Sequence, residues 1–205
     1  MHAKHLLRIA LAGTVFAVTG AHASITVAGY TFADNAFADA LYASSGAFTT
    51  NSTLTTALTD KDVGTYAFST SPGASVLLGF TDNLAYNGSG ADLALFELGA
   101  PDTLDVAIGF TQKRYLSSST GFTANGFSVN VALVDLSDFG IASGAALNYL
   151  GIGLDKRSAN DTLPSLALVG ALHVAPVPEP AEWAMLLAGL TAVAGSAWRR
   201  VRHHA

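Results

Sequence analysis

The feature that most constrains the fold of this 205-residue chain is a period of two in its apolar residues. Leu104, Val106, Ile108 and Phe110 alternate with Asp105, Ala107 and Gly109. Phe127, Val129, Val131 and Leu133 alternate in the same way with Ser128, Asn130 and Ala132. Successive side chains of an extended strand point to opposite faces, so this pattern turns one face toward a core. Further short runs of β-formers occupy 25–32, 65–69, 75–80, 92–97, 149–154 and 166–174. Turn residues fall between them, as in Ser71-Pro72-Gly73, Asn87-Gly88-Ser89-Gly90, Gly99-Ala100-Pro101-Asp102, Asn125-Gly126 and Ser143-Gly144. Many short strands with Gly-rich turns predict a mainly β fold, an antiparallel β-sandwich of jelly-roll-like form. One segment dissents. Ala36, Phe37, Ala40 and Leu41 fall at helical spacing and predict a short helix within 33–43. The Ser- and Thr-rich stretch 44–59 reads as a loop or irregular edge.

The two ends follow different rules. Lys4 and Arg8 precede an apolar run over 9–19 and then Gly20-Ala21-His22-Ala23. A basic start, a short apolar run and small residues at Ala21 and Ala23 predict a signal peptide over 1–23, cut before Ser24 by signal peptidase after Sec export. At the other end Val177-Pro178-Glu179-Pro180 precedes an apolar stretch over 181–197, then Trp198, Arg199, Arg200, Val201 and Arg202. Pro178 and Pro180 lack N–H donors and fix φ, so the motif is extended and a helix begins after it. At ~1.5 Å per residue that helix, read over 181–198, reaches roughly 25 Å, close to the ~30 Å hydrocarbon core of a bilayer. The basic end 199–202 holds the C-terminus on the cytoplasmic side.

Pro178-Glu179-Pro180, one apolar helix and the arginines Arg199, Arg200 and Arg202, in that order, resemble the PEP-CTERM sorting signal of Gram-negative bacteria. The resemblance implies processing by exosortase, a membrane-embedded enzyme. It also implies transient anchoring in the inner membrane, followed by delivery to the cell surface or the extracellular space. The chain then divides into a signal peptide at 1–23, a β-sandwich ectodomain at 24–175 and a sorting signal at 176–205. Phrases of the middle segment also resemble a recurrent ectodomain of such proteins. They are Gly79-Phe80-Thr81-Asp82-Asn83, the stretch from Asn87 to Glu97, Val134-Asp135-Leu136 and Val169-Gly170-Ala171-Leu172-His173.

Charge and composition narrow the chemistry. Residues 24–180 hold five strong bases and fourteen acids, a balance of −9 against −5 for the whole chain. Such a domain repels phosphate backbones, which argues against a nucleic-acid partner. There is no cysteine, and His173 is the one histidine between the two terminal segments. Thiol catalysis and multi-His or Cys metal sites therefore have no donors there. His173 reads as a plain surface or strand-edge residue, since no Gly-x-Ser-x-Gly elbow accompanies it. Phosphate loops are missing from the sequence as well.

Carboxylates remain. A glycosidase needs two facing one cleft, about 5–9.5 Å apart. Asp92 and Glu97 attract attention, yet an odd spacing along a strand sends them to opposite faces. Asp82, Asp92 and Glu97 are the candidate ligand or calcium residues, because calcium takes scattered carboxylates and carbonyls. No catalytic residue is assigned. The functional expectation is a structural or adhesive protein of the envelope or exopolysaccharide matrix, with polysaccharide as the candidate ligand. The alternatives are a secreted carbohydrate-active enzyme using carboxylates and a permanently anchored inner-membrane protein.

Overall fold

A computed structural model describes residues 23–155 and 162–176. The predicted signal peptide up to position 22, including Ala21, lies outside the described residues. So do Pro178, Glu179 and Pro180, the apolar stretch 181–198, and Arg199, Arg200 and Arg202. Among the described residues no helix is long and apolar enough to cross a membrane.

The described chain is mainly β, with antiparallel sheets. In chain order the strands are β1 (Ser24–Val27), β2 (Tyr30–Ala33), β3 (Ala40–Ser45), β4 (Thr49–Thr50), β5 (Ala67–Phe68), β6 (Ser75–Gly79), β7 (Asn83–Tyr86) and β8 (Leu93–Leu98). They continue with β9 (Thr103–Ile108), β10 (Thr111–Leu116), β11 (Ser118–Ala124), β12 (Phe127–Val134), β13 (Ala146–Leu147), β14 (Tyr149–Gly153), β15 (Leu166–Ala171) and β16 (Val174–Pro176). A five-stranded sheet runs β10-β9-β14-β6-β3 and a six-stranded sheet runs β11-β12-β8-β15-β5-β4. A three-stranded sheet, β13-β7-β16, and the hairpin β1-β2 complete the order.

The main core lies between the two large sheets. It joins Val76, Leu78, Leu104, Val106, Leu150 and Ile152 of the first to Leu93, Leu95, Ala132, Val134, Leu166 and Val169 of the second. Two antiparallel sheets closed over one apolar layer fit a β-sandwich. A second core lies on the other face of the six-stranded sheet. There Ala94, Phe96, Val129, Val131 and Leu168 meet Val27, Phe32 and Phe37. The hairpin β1-β2 thus covers that face, which is why β8 and β15 are buried along their whole length.

Several expectations need correction. The apolar run at 25–32 is two strands, not one, because Ala28 and Gly29 both adopt positive φ (46° and 90°) and reverse the chain. The helix expected within 33–43 is absent. Ala36 and Phe37 pack into the outer core while Ala38 packs into the inner one. An extended backbone serves both layers, held by bonds from Ala38 N to Val169 O and from Asp39 N to Gly79 O. Of the stretch 44–59, expected as a loop or irregular edge, Thr49–Thr50 is the edge strand β4, and a helix, α1 (Leu54–Thr59), forms after it. Thr53 caps it by accepting from Thr56 N at 3.1 Å, and Ala57 and Leu58 are buried.

Candidate functional site

The outer face of the five-stranded sheet carries a groove of about 380 Å³. Strand register builds it. One cross-strand row runs Ser45, Ser75, Gly153, Asp105 and Arg114; the next runs Ala43, Leu77, Gly151, Ala107 and Gln112. Glycines stand in the middle of both rows. A Cβ at Gly153 would sit 3.1 Å from the Asp105 Cβ, and one at Gly151 would sit 3.4 Å from the Ala107 Cβ. Leaving those side chains out opens the floor to a ligand. In the following row Tyr149 pairs with Gly79, and the Tyr42 ring lies directly over Gly79. Both tyrosines are about half exposed, at 52% for Tyr42 and 45% for Tyr149.

The groove combines an apolar floor with hydrogen-bonding groups, and the two tyrosines stand in the row next to it. Asp105 is buried and lies 3.5 Å from Nε of the exposed Arg114, and the Gln112 side chain and the Ser45 and Ser75 hydroxyls add donors and acceptors. Asp105 is the one carboxylate among the described lining residues. Such a surface suits a neutral, hydroxyl-rich ligand whose apolar ring face rests on tyrosine. A smaller cleft of about 210 Å³ beside Tyr66, Phe68 and Phe127 is mostly apolar and offers fewer polar contacts.

Asp82, Asp92 and Glu97 are not brought together; among the described residues no three metal-ligating acids or histidines form a group. Asp82 lies exposed between β6 and β7, and its carboxyl is raised above the usual range by partial burial and by Asp39. Asp92 is fully buried and accepts from Gly88 N at 2.7 Å, Leu136 N at 2.8 Å and His173 Nδ1 at 2.8 Å. Glu97 is buried between the sheets, where Oε1 accepts from Asp102 N at 2.7 Å and from the Ser117 hydroxyl. Burial, reinforced by the Asp102 carboxylate, pushes Glu97 up to about 7 against the opposing influence of Ser117 and of the Asp102 and Ser165 backbone N–H groups.

His173 is therefore no plain edge residue. Its ring packs on Tyr86 at 5.5 Å and holds Asp92. A Cβ at Gly88 would fall 2.4 Å from Nδ1, so glycine is needed there for the ring to approach. Three of the phrases quoted above, those containing Gly88 to Asp92, Leu136 and His173, meet at this one carboxylate. It fastens the 87–92 turn to the chain after β12 and to the corner after β15. Ser24 begins β1, and the carbonyl of Ala23 accepts from Asp34 N at 2.8 Å.

Sequence reading missed the groove because its determinants are scattered small residues. The glycines of Tyr149-Leu-Gly151-Ile-Gly153 were the available signal, alternating with buried Leu150 and Ile152. Comparison with family models, curated proteins and solved structures gave no match.

Proposed function

We propose that this chain is an exported, exosortase-processed protein of the cell surface or extracellular matrix that binds polysaccharide on the open face of a jelly-roll-like sandwich. The groove beside Tyr42 and Tyr149 is the observation that carries the binding reading. Its hydroxyl, carboxamide and carboxylate groups are of the kind sugar hydroxyls require, Arg114 stands beside Asp105, and two exposed ring faces lie in the adjoining row. The jelly-roll reading rests on a chain that passes repeatedly between sheets, from β8 to β9, β10 to β11, β12 to β14 and β14 to β15. With one carboxylate among the described lining residues, already beside Arg114, binding is better supported than hydrolysis.

The export reading rests on the ordered terminal motifs. β1 begins at Ser24, the residue that the expected first cut would leave at the start of the product. Intact mass of the product released by its native host tests both cuts together. A product beginning at Ser24 and lacking the apolar tail supports the reading; a full-length mass, or equal processing after Pro178, Glu179 and Pro180 are changed to alanine, sinks it. Affinity electrophoresis against neutral and acidic polysaccharides tests the groove. Wild type should be retarded by at least one neutral polysaccharide, and Tyr149→Ala should weaken that retardation about tenfold. Equal retardation of the two proteins would remove the groove from the account.

A further inference from the structure

The inner face of the six-stranded sheet changes character at one end. Its paired positions run Leu93 with Val134, Leu95 with Ala132, then Glu97 with Asn130. The first two pairs belong to the main core. The third puts a carboxyl and a carboxamide, 1% and 0% exposed, where apolar side chains would continue it. Asp102 joins them from the opposing sheet. It precedes Leu104 and Val106 by even steps, so its side chain enters the same inter-sheet space, and it is 8% exposed.

Three oxygens are left over. Oε2 of Glu97, Oδ2 of Asp102 and Oδ1 of Asn130 are buried without a hydrogen-bond partner. Asn130 donates from Nδ2 to the Gly99 carbonyl at 3.0 Å, which fixes the carboxamide and turns its oxygen away from that carbonyl. With Glu97 ionised, as above pH 7, all three are acceptors, and among the described residues no basic side chain pairs with Glu97 or Asp102. Buried acceptors without a donor or cation are expensive. Their arrangement asks for positive charge.

We propose that Glu97, Asp102 and Asn130 bind one calcium ion between the two sheets. The donor set is all oxygen, two carboxylates and one amide, which suits a hard divalent cation and not a thiolate- or imidazole-seeking metal. Calcium accepts irregular shells of carboxylate, amide and backbone oxygens, whereas magnesium keeps several waters in a strict octahedron that this buried end does not favour. The loop 99–102 is exposed at Ala100 and Pro101, so the ion enters from that end and water completes its shell. The ion would tie the two sheets together at the edge of their core. This site is separate from the polysaccharide groove, and its test does not depend on that reading.

The test uses the full chain stripped with a chelator and then titrated with calcium chloride, followed by calorimetry and thermal melting. One ion per chain should bind, and Tm should rise by about 5–10 °C at roughly a hundredfold excess over Kd. Glu97→Gln and Asp102→Asn, each nearly isosteric, should keep a β-type circular dichroism spectrum and lose at least about tenfold in calcium affinity. Asp82→Asn should bind like wild type. No calcium uptake by the folded wild-type protein would overturn the proposal. So would wild-type affinity in either folded inter-sheet variant, or loss of binding confined to Asp82→Asn.

Discussion

The two large sheets treat their outer faces in opposite ways. The six-stranded sheet is covered by the β1-β2 hairpin, and its strands β8 and β15 are buried at every position. On the five-stranded sheet no second layer of described strands covers the outer face, and β14 alternates buried Leu150 and Ile152 with less buried Gly151 and Gly153. Both faces contain a glycine under or beside an aromatic ring, yet to different ends. Gly170 makes room for the Phe32 ring of the covering hairpin, while Gly151 and Gly153 make room for something the described residues do not supply. A covered face is identified by large apolar residues on both sides of a strand, and a binding face by small residues on one side.

The largest expected effect comes from removing the cover. Phe32 is 2% exposed and packs against Phe37 at 5.1 Å and Phe96 at 6.0 Å. Phe32→Ala should destabilise the protein by about 3–5 kcal/mol, through lost burial and the cavity left behind. Tyr149→Ala on the open face should change stability by no more than about 1 kcal/mol, since that side chain is already half exposed. Urea unfolding of both variants checks the contrast, and equal losses would mean that the hairpin is not a structural cover.

A second prediction concerns the face that both sheets share. Glu97 titrates at about 7 in the fold against 4.5 for the ordinary carboxyl, so the fold favours its protonated form. Between pH 4.5 and about 7 the folded state binds more protons than the unfolded state, and stability falls as pH rises through that window. The displacement corresponds to roughly 3 kcal/mol at most. Measured with a chelator present, wild type should be more stable at pH 5 than at pH 8, and Glu97→Gln should flatten the part of the slope due to this group. An unchanged slope in the variant would place the titration elsewhere.

How much of this was legible follows from the same physics. Alternation in 104–110 gave β9 because Leu104, Val106 and Ile108 face the main core; in 127–133 it gave β12 because Val129 and Val131 face the second core, under the hairpin; Asn125-Gly126, with φ of 49° and 82°, gave the turn before β12. The Ala28-Gly29 turn was hidden because alanine rarely takes a positive φ, so the sequence offers no Asn-Gly signal there. The segment 33–43 was read as a helix since residues 36–38, just before β3, serve two cores, and burial on both sides erases a period of two. β10 and β11 went unread because Thr111–Leu116 and Ser118–Ala124 are largely exposed and polar. Of the candidate acids, Glu97 was visible as a residue, but its partners Asp102, Ser117 and Asn130 are joined to it by strand pairing and a sheet crossing that spacing alone does not reveal.

The smallest stability effects should be the most informative about function, because they come from adding atoms rather than removing them. At Gly170 a Cβ would approach Phe32 Cε1 to 2.7 Å, and Phe37 and Phe96 hem that ring in, so Gly170→Ala should cost about 1–3 kcal/mol by overpacking. At Gly151 the nearest atoms to a Cβ are those of Ala107 at 3.4 and 3.6 Å, an ordinary contact on an open face. Gly151→Ala should therefore be neutral or stabilise by up to about 1 kcal/mol, as the unfolded chain loses freedom. Gly151→Leu extends the comparison to binding. Its side chain would rise from the middle of the groove between Leu77 and Ala107, leaving the melting temperature within a few degrees while displacing any ligand from the floor. Thermal melting and polysaccharide retardation of the three variants separate the two glycines. A Gly151→Leu protein that melts normally and is retarded like wild type would show that the open face is bare surface, and the difference between the two sheets would then be one of packing alone.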